Sequence, residues 1–319
     1  MIFEKQIEKI YRGNLFVRQD NPTGIFYFQP SDFSGLETHP YEFTAPAGHT
    51  LKGYFYHYPN PVPGRLVVFD HGMGNGHRAY MREIEQLCRA GFLVFSYDHT
   101  GCMESGGDST MGFATSLSDL DSCIRVLKQE AGLQDRTIAV IGHSWGGFST
   151  MNIGALHPEI THLVVMAGFV SVRRIIAQNF TGLLKGYRDA MYRLEKQTNP
   201  DYADKNGIRS LRQTEAKVLL IYSDNDPLVK KEMHYDELHR LLGGMKNIRF
   251  LLVNGKGHNP SFTRDAVQYK DAFFKAHSKV SRKLTDPKEQ KLFMDNFDWL
   301  RMTEQDPEVW QEIVDHLNS

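Results

Sequence analysis

Six apolar runs constrain this chain most. "RLVVFDHG" (Arg65–Gly72), "GFLVFSYDHTG" (Gly91–Gly101), "TIAVIGHSWGG" (Thr137–Gly147), "THLVVMAG" (Thr161–Gly168), "KVLLIYSDND" (Lys217–Asp226) and "IRFLLVNGKGH" (Ile248–His258) each carry a core that is apolar at nearly every position. A strand with one wet face alternates; a parallel strand buried on both faces does not. Helical patterns fall between several of the runs, at Tyr80–Ala90, Ser116–Glu130, Gly147–His157 and Lys231–Leu242. Strands alternating with helices of that length predict crossovers in a parallel sheet, an α/β fold. The segment Tyr41–Asn60 differs: it predicts antiparallel strands around a Gly-His turn, at the edge of the same sheet.

The 319 residues suffice for a large core, and 41% apolar with 24% charged residues is an ordinary globular balance. A formal net charge of -1 recruits neither nucleic acid nor an anionic membrane. Glu4, Lys5, Glu8 and Lys9 interrupt any signal-peptide apolar stretch, and Leu163–Val170 is too short to span a bilayer. Cys88, Cys102 and Cys123 form no disulfide framework. The expectation is a cytoplasmic protein without stable membrane insertion; oligomeric state is not legible.

Four segments follow. Residues 41–169 and 215–278 form the core. Residues 170–214 break the strand–helix rhythm and form an inserted helical layer, too long for an ordinary connection. Residues 1–40 are an N-terminal extension, with Ile2, Phe3, Ile7, Ile10 and Tyr11 along one helical face that docks on the body or on a partner. Residues 279–319 are a helical C-terminal extension whose two segments each open on Asp-Pro, a cap followed by a first-turn proline.

In open parallel sheets, ligands gather beyond the carboxyl ends of the strands. There the sequence places His71-Gly72-Met73-Gly74, Asp98, Ser144, Asp226 and His258. Ser144 stands in Gly142-His143-Ser144-Trp145-Gly146, between a strand and a helix, where a nucleophile elbow forces close approaches that a Cβ obstructs. A helix N-cap serine is the structural alternative. A serine nucleophile needs a base and the base an orienter. His258 in "NGKGHNP" supplies the first; Asp226, with Asp224 as its rival, supplies the second. The chain order Ser, Asp, His fits a serine hydrolase on this sheet. Oxyanion donors are expected from the backbone N–H groups of Trp145 and Met73. His71 is read as a structural hydrogen-bonding residue, and Asp98 as a carboxylate that fixes its loop. His71 and His77 lack companions for a metal site, "GMGNG" is no phosphate loop, and the basic "KVSRK" (279–283) is solvated surface. No metal or cofactor is expected.

On these motifs, from Tyr41 to Ala276, the chain resembles the α/β-hydrolase superfamily. Within it, it is similar to monoacylglycerol lipases, lysophospholipases and serine aminopeptidase-like esterases. The resemblance implies an eight-stranded, mostly parallel sheet flanked by helices, with a helical cap inserted after strand six. It also implies Ser144, Asp226 and His258 as a catalytic triad. One departure is Met103, which occupies a position where many relatives carry glycine in the loop after Asp98. The function so implied is hydrolysis of a small-molecule carboxylic (acyl) ester through an acyl-enzyme. Thioesterase, amidase or peptidase, carbon–carbon bond hydrolase, haloperoxidase-like and non-catalytic binding readings stay open. Ile175, Ile176, Phe180, Leu183, Leu184, Met191 and Leu194 are the cap residues that either face an apolar pocket or pack the cap onto the body.

Overall fold

The computed structural model describes residues 3–20, 27–74, 76–281, 283–284 and 286–319. Among the described residues, the eight strands are β1 (Glu37–Thr44), β2 (Thr50–His57), β3 (Arg65–Asp70), β4 (Leu93–Tyr97), β5 (Thr137–His143), β6 (Ile160–Met166), β7 (Lys217–Ser223) and β8 (Ile248–Val253). They form one sheet in the order β1-β2-β4-β3-β5-β6-β7-β8. The β1–β2 and β2–β4 pairings are antiparallel and all others parallel. The six apolar runs are β3 to β8, and the Gly-His turn joins β1 to β2.

Because side chains alternate across a strand, each run feeds two cores. Leu66, Val68, Val140 and Val165 belong to one cluster; Val67, Phe69, Ile141 and Val164 belong to the other. The first face is covered by the helices Thr115–Gln129 and Trp145–Ile153. Met81–Arg89 covers the second, together with the last helix, Pro307–Asn318, which contributes Val309, Trp310, Ile313 and Leu317. Asp286 and Asp306 cap the two helices that open on Asp-Pro by accepting hydrogen bonds from first-turn N–H groups.

The helix expected at Gly147–His157 begins at Trp145 and ends at Ile153, because Ser144 already turns the chain. The one expected at Lys231–Leu242 divides into a short 3-10 turn and the helix Tyr235–Leu242.

Between β6 and β7 lie the helices Val172–Asn179, Arg188–Thr198 and Gly207–Leu211, with a 3-10 segment, Gly182–Tyr187. Ile175, Ile176, Met191 and Leu194 are buried, Phe180 is partly buried, and Leu183 and Leu184 are exposed. The N-terminal helix Glu4–Leu15 sits against Arg188–Thr198. Tyr11 is buried and Ile7 half-buried, but Phe3 and Ile10 point to solvent, so the docked face is narrower than the pattern predicts. Ile2 and Arg282 lie outside the described residues. Past that helix, Arg18 donates to the carbonyls of Met103, Ser105 and Gly107, bracing the loop after Asp98. Met103 in that loop adopts φ 45°, a left-handed conformation that glycine takes without strain.

Among the described residues, no helix is long and apolar enough to cross a membrane.

Candidate active site

The order of the sheet reverses at β3, which pairs with β4 on one side and β5 on the other. The crevice outside the carboxyl ends at such a point is the expected ligand site of an open α/β sheet. Ser144 directly follows β5 there, with φ 56° and ψ -108°. This is a strained conformation for a residue with a Cβ. Its N–H donates to Met166 O at 2.9 Å, and its C=O accepts from Phe148 N at 3.1 Å, so the strain is held from both sides. Gly146 has a distinct reason for being glycine: a Cβ there would run into the Asp70 carbonyl oxygen at the end of β3.

The loop after β7 carries Asp226, whose side chain is shielded from solvent. Its Oδ1 accepts the N–H groups of Leu228 (2.8 Å) and Val229 (3.0 Å), and its Oδ2 lies 2.7 Å from His258 Nδ1. Asp224 is exposed and accepts from Gly255 N at 2.7 Å, tying the loop after β8 instead. The imidazole of His258 therefore meets Asp226 and not its rival. Ser144 and His258 line one cleft of about 950 Å³, with Met73, Trp145, Phe113 and Ile175 among its walls. The Ser144 hydroxyl makes no hydrogen bond to His258 in this structure; such contacts often tighten only with a ligand in place. The N–H groups of Met73 and Trp145 have no acceptor among the described residues. Trp145 is the first residue of its helix, where N–H groups are left over and the helix dipole favours negative charge. Asn75, two positions after Met73 in sequence, lies outside the described residues.

Beneath the elbow lies a buried set of charges. His99 Nε2 is 2.9 Å from Asp70 Oδ1, and its Nδ1 is 3.4 Å from Asp119 Oδ2. Burial works against the imidazolium, but the two carboxylates outweigh it and push the pKa up to about 9. The His99 ring packs 4.8 Å from that of Trp145, and Ser149 of the elbow helix donates to Asp70. His71 accepts from His99 N at 3.0 Å, so its Nδ1 carries the proton toward Gly72 O at 2.7 Å. Burial, reinforced by His99, pushes the His71 pKa down to about 3. Asp98 accepts from His77 N (2.8 Å) and Glu104 N (3.1 Å), which ties its loop together. Burial opposes its charge, yet the His77 imidazole and these donors hold the carboxyl well below the usual range.

Two residues escaped sequence reasoning. Tyr80 Oη accepts from Gly72 N at 3.1 Å and lies 2.8 Å from His143 Nδ1. His143 Nε2 lies 2.6 Å from the carbonyl oxygen of His258. No local pattern reveals this chain, whose members are far apart in sequence. Away from the cleft, Glu37, His39 and His57 on the β1–β2 hairpin hold ligand atoms within 4.8 Å of one another. They are the metal-compatible group among the described residues and take no part in the cleft.

Residues 61–254 match the family model of the serine aminopeptidases, S33. The chain is 30% identical over 112 residues to a monoacylglycerol lipase of Mycolicibacterium smegmatis, covering 34% of this chain and 39% of that one. It is 27% identical over 126 residues to a monoglyceride lipase of Rattus norvegicus, covering 38% of each. Against an acylamino-acid-releasing enzyme of Mus musculus it is 23% identical over 211 residues, covering 60% of this chain and 28% of that one. The chain thus spans less than two fifths of the length of these relatives. Among solved structures, the Pyrococcus furiosus esterase Pf2001 superimposes with a TM-score of 0.60 at 20% identity, covering 84% of this chain and 98% of that one. That likeness shows the fold. The family match, extending over more than half of the chain and across β3 to β8, shows the rest: this chain belongs to the serine aminopeptidase S33 family of α/β-hydrolases.

Proposed function

We propose that the chain is a serine hydrolase that cleaves a small-molecule acyl ester through an acyl-enzyme. The observation that carries the reading is convergence. A serine on a strained elbow and a histidine 2.7 Å from a shielded carboxylate line the same cleft at the reversal point of the sheet. In this reading, His258 Nε2 takes the proton of Ser144 Oγ as the oxygen attacks the carbonyl carbon. Asp226 accepts from Nδ1, fixing the tautomer and stabilising the imidazolium. The Met73 and Trp145 N–H groups receive the developing oxyanion, each worth about 3 kcal/mol in the transition state. His258 then hands its proton to the leaving oxygen and later activates the water that frees Ser144. Residues 41–169 and 215–278 are the core of this machine, and 170–214 its cap. The described parts of residues 1–40 and 279–319 brace it.

The family description and the acylamino-acid-releasing relative favour a second reading, hydrolysis of an amide at the same serine. The chemistry differs only in the leaving atom.

Labelling by a fluorophosphonate probe tests the proposal, on the wild type and on Ser144→Ala, beside p-nitrophenyl esters from acetate to palmitate. Labelling and turnover that vanish together in the variant are expected. Turnover retained by a folded Ser144→Ala protein overturns the reading. Labelling with faster cleavage of aminoacyl p-nitroanilides than of any ester favours the second reading.

A further inference from the structure

The cleft does not end at His258. A second, smaller cavity of about 80 Å³ adjoins it, and the two share Tyr80, Asn259, Lys270 and Phe274 in their walls. Its remaining lining is largely apolar, including Phe262, Phe273, Trp299 and Met302. Part of this wall comes from the C-terminal extension. The Trp299 ring meets Phe273 edge-on at 5.0 Å, and Arg301 pairs with Asp265 at 2.6 Å, fastening that segment to the helix Arg264–Val280.

Lys270 stands where the two cavities meet. Its Nζ lies 3.0 Å from Asn259 Oδ1 and 5.1 Å from the centre of the Phe262 ring. An ammonium has three N–H donors. An amide oxygen and an aromatic face leave it without a counter-ion, and it forms no ion pair among the described residues. Burial lowers its pKa, a cost that Glu83 and Asp271 offset only in part. Two acids are near. Glu83, in the wall of the smaller cavity, is itself pushed up to about 7 by burial, although Lys270 favours its charge, and the two make no direct ion pair. Asp271 lines the cleft but is exposed to water.

We propose that this junction is a subsite for an anionic group: the leaving portion of the substrate carries a carboxylate, held by Lys270, and a short apolar substituent seated in the aromatic chamber. The proposal rests on the serine-hydrolase reading for its placement. Asn259, which holds Lys270, directly follows His258, the residue that protonates the leaving atom. The chamber sets the size of the substituent. It is about half of the ~150 Å³ cavity that takes a benzene molecule, which suits a branched alkyl group better than a fused ring. The substrate class is then an acyl ester or amide of a small hydroxy or amino acid with an aliphatic side chain.

Binding of 4-methylpentanoate and of 4-methylpentanamide tests this without turnover. Titration calorimetry on the full chain compares wild type, Lys270→Met and Lys270→Arg, with fluorophosphonate labelling of Ser144 followed on the same preparations. The acid is expected to bind the wild type about tenfold more tightly than the amide, the size of one charge-assisted contact. Lys270→Met is expected to abolish that preference, and Lys270→Arg to keep most of it. Equal affinities in the wild type, binding of neither compound, or a preference that survives in Lys270→Met overturns the subsite. Labelling without a preference removes the subsite and leaves the serine hydrolase. A Lys270-dependent preference without labelling does the reverse.

Discussion

Tyr80 and His143, 63 residues apart, meet at 2.8 Å between the tyrosine oxygen and the histidine Nδ1. The proton positions follow from the neighbours. Gly72 N–H donates to the tyrosine oxygen, so the hydroxyl is free to donate to Nδ1, and His143 carries its own proton on Nε2, toward the His258 carbonyl. Burial, followed by His258, drives the His143 pKa well below its usual value, which keeps the ring neutral in this role. The chain of bonds thus links the turn that carries Met73 to the loop that carries His258. Tyr80→Phe removes the middle of it and leaves two buried partners unsatisfied. We expect kcat for p-nitrophenyl butyrate to fall about tenfold with KM changed little, the signature of lost positioning. Unchanged kcat in a folded variant would sink this role.

Asp226 orients His258 in the proposed mechanism. Asp226→Asn keeps an oxygen for the Leu228 and Val229 N–H groups but presents an NH2 to Nδ1, which selects the wrong tautomer. The expected loss in kcat is about 10⁴-fold, by analogy with the same change in other triads. Asp224→Asn, on the exposed neighbour that ties Gly255, is expected to keep kcat within about threefold, the change of a surface contact. Steady-state kinetics on the two variants separates the rivals, and equal losses would show that Asp226 has no special part.

Much of this was legible because two-sided burial writes itself into sequence. Residues 65–70, 137–143 and 217–223 are apolar because both faces of their strands are covered, and the glycines around Ser144 mark where backbones touch. Local pattern fails where a contact joins distant segments. Lys270 reads as one more helix lysine until Asn259 and Phe262 are seen around it. The cap residues show the same limit: an apolar residue at helical spacing faces a body, a pocket or water, and Ile175, Leu183 and Met191 have different fates. Met103 shows another. A left-handed backbone is invisible when the residue that adopts it is not glycine.

Gly146 predicts a stability effect. Alanine there places a methyl against the Asp70 carbonyl, and neither the elbow nor β3 has room to retreat. Overpacking of this kind costs about 3 kcal/mol, the upper end of its usual range, or roughly 4–5 °C in Tm for a chain of this length. Gly244 is the control: it has open space around it, and Gly244→Ala is expected to leave Tm within about 1 °C. Differential scanning calorimetry decides it. A Gly146→Ala protein as stable as the control would mean that the elbow tolerates side chains.

Glu195 predicts a pH dependence. Its Oε1 accepts from Tyr11 Oη at 2.6 Å and its Oε2 from Phe113 N at 2.8 Å, joining the N-terminal helix, the cap and a wall of the cleft. The carboxyl is fully buried, and burial pushes its pKa up from 4.5 to about 7 despite those donors. Between these two values the folded protein holds a proton that the unfolded chain has released, so stability falls as pH rises. The contribution is full below about pH 4.5, is lost progressively up to about pH 7 and changes no further above it. Glu195→Gln removes the titration while keeping the geometry: its oxygen accepts from Phe113 N, and its NH2 donates to a rotated Tyr11 hydroxyl. The difference in unfolding free energy between variant and wild type should therefore grow in the variant's favour by about 3 kcal/mol from pH 4.5 to pH 7. Urea unfolding across that range measures it. A difference that stays constant with pH would show that Glu195 is ionised throughout, with the buried charge held by Tyr11 and Phe113.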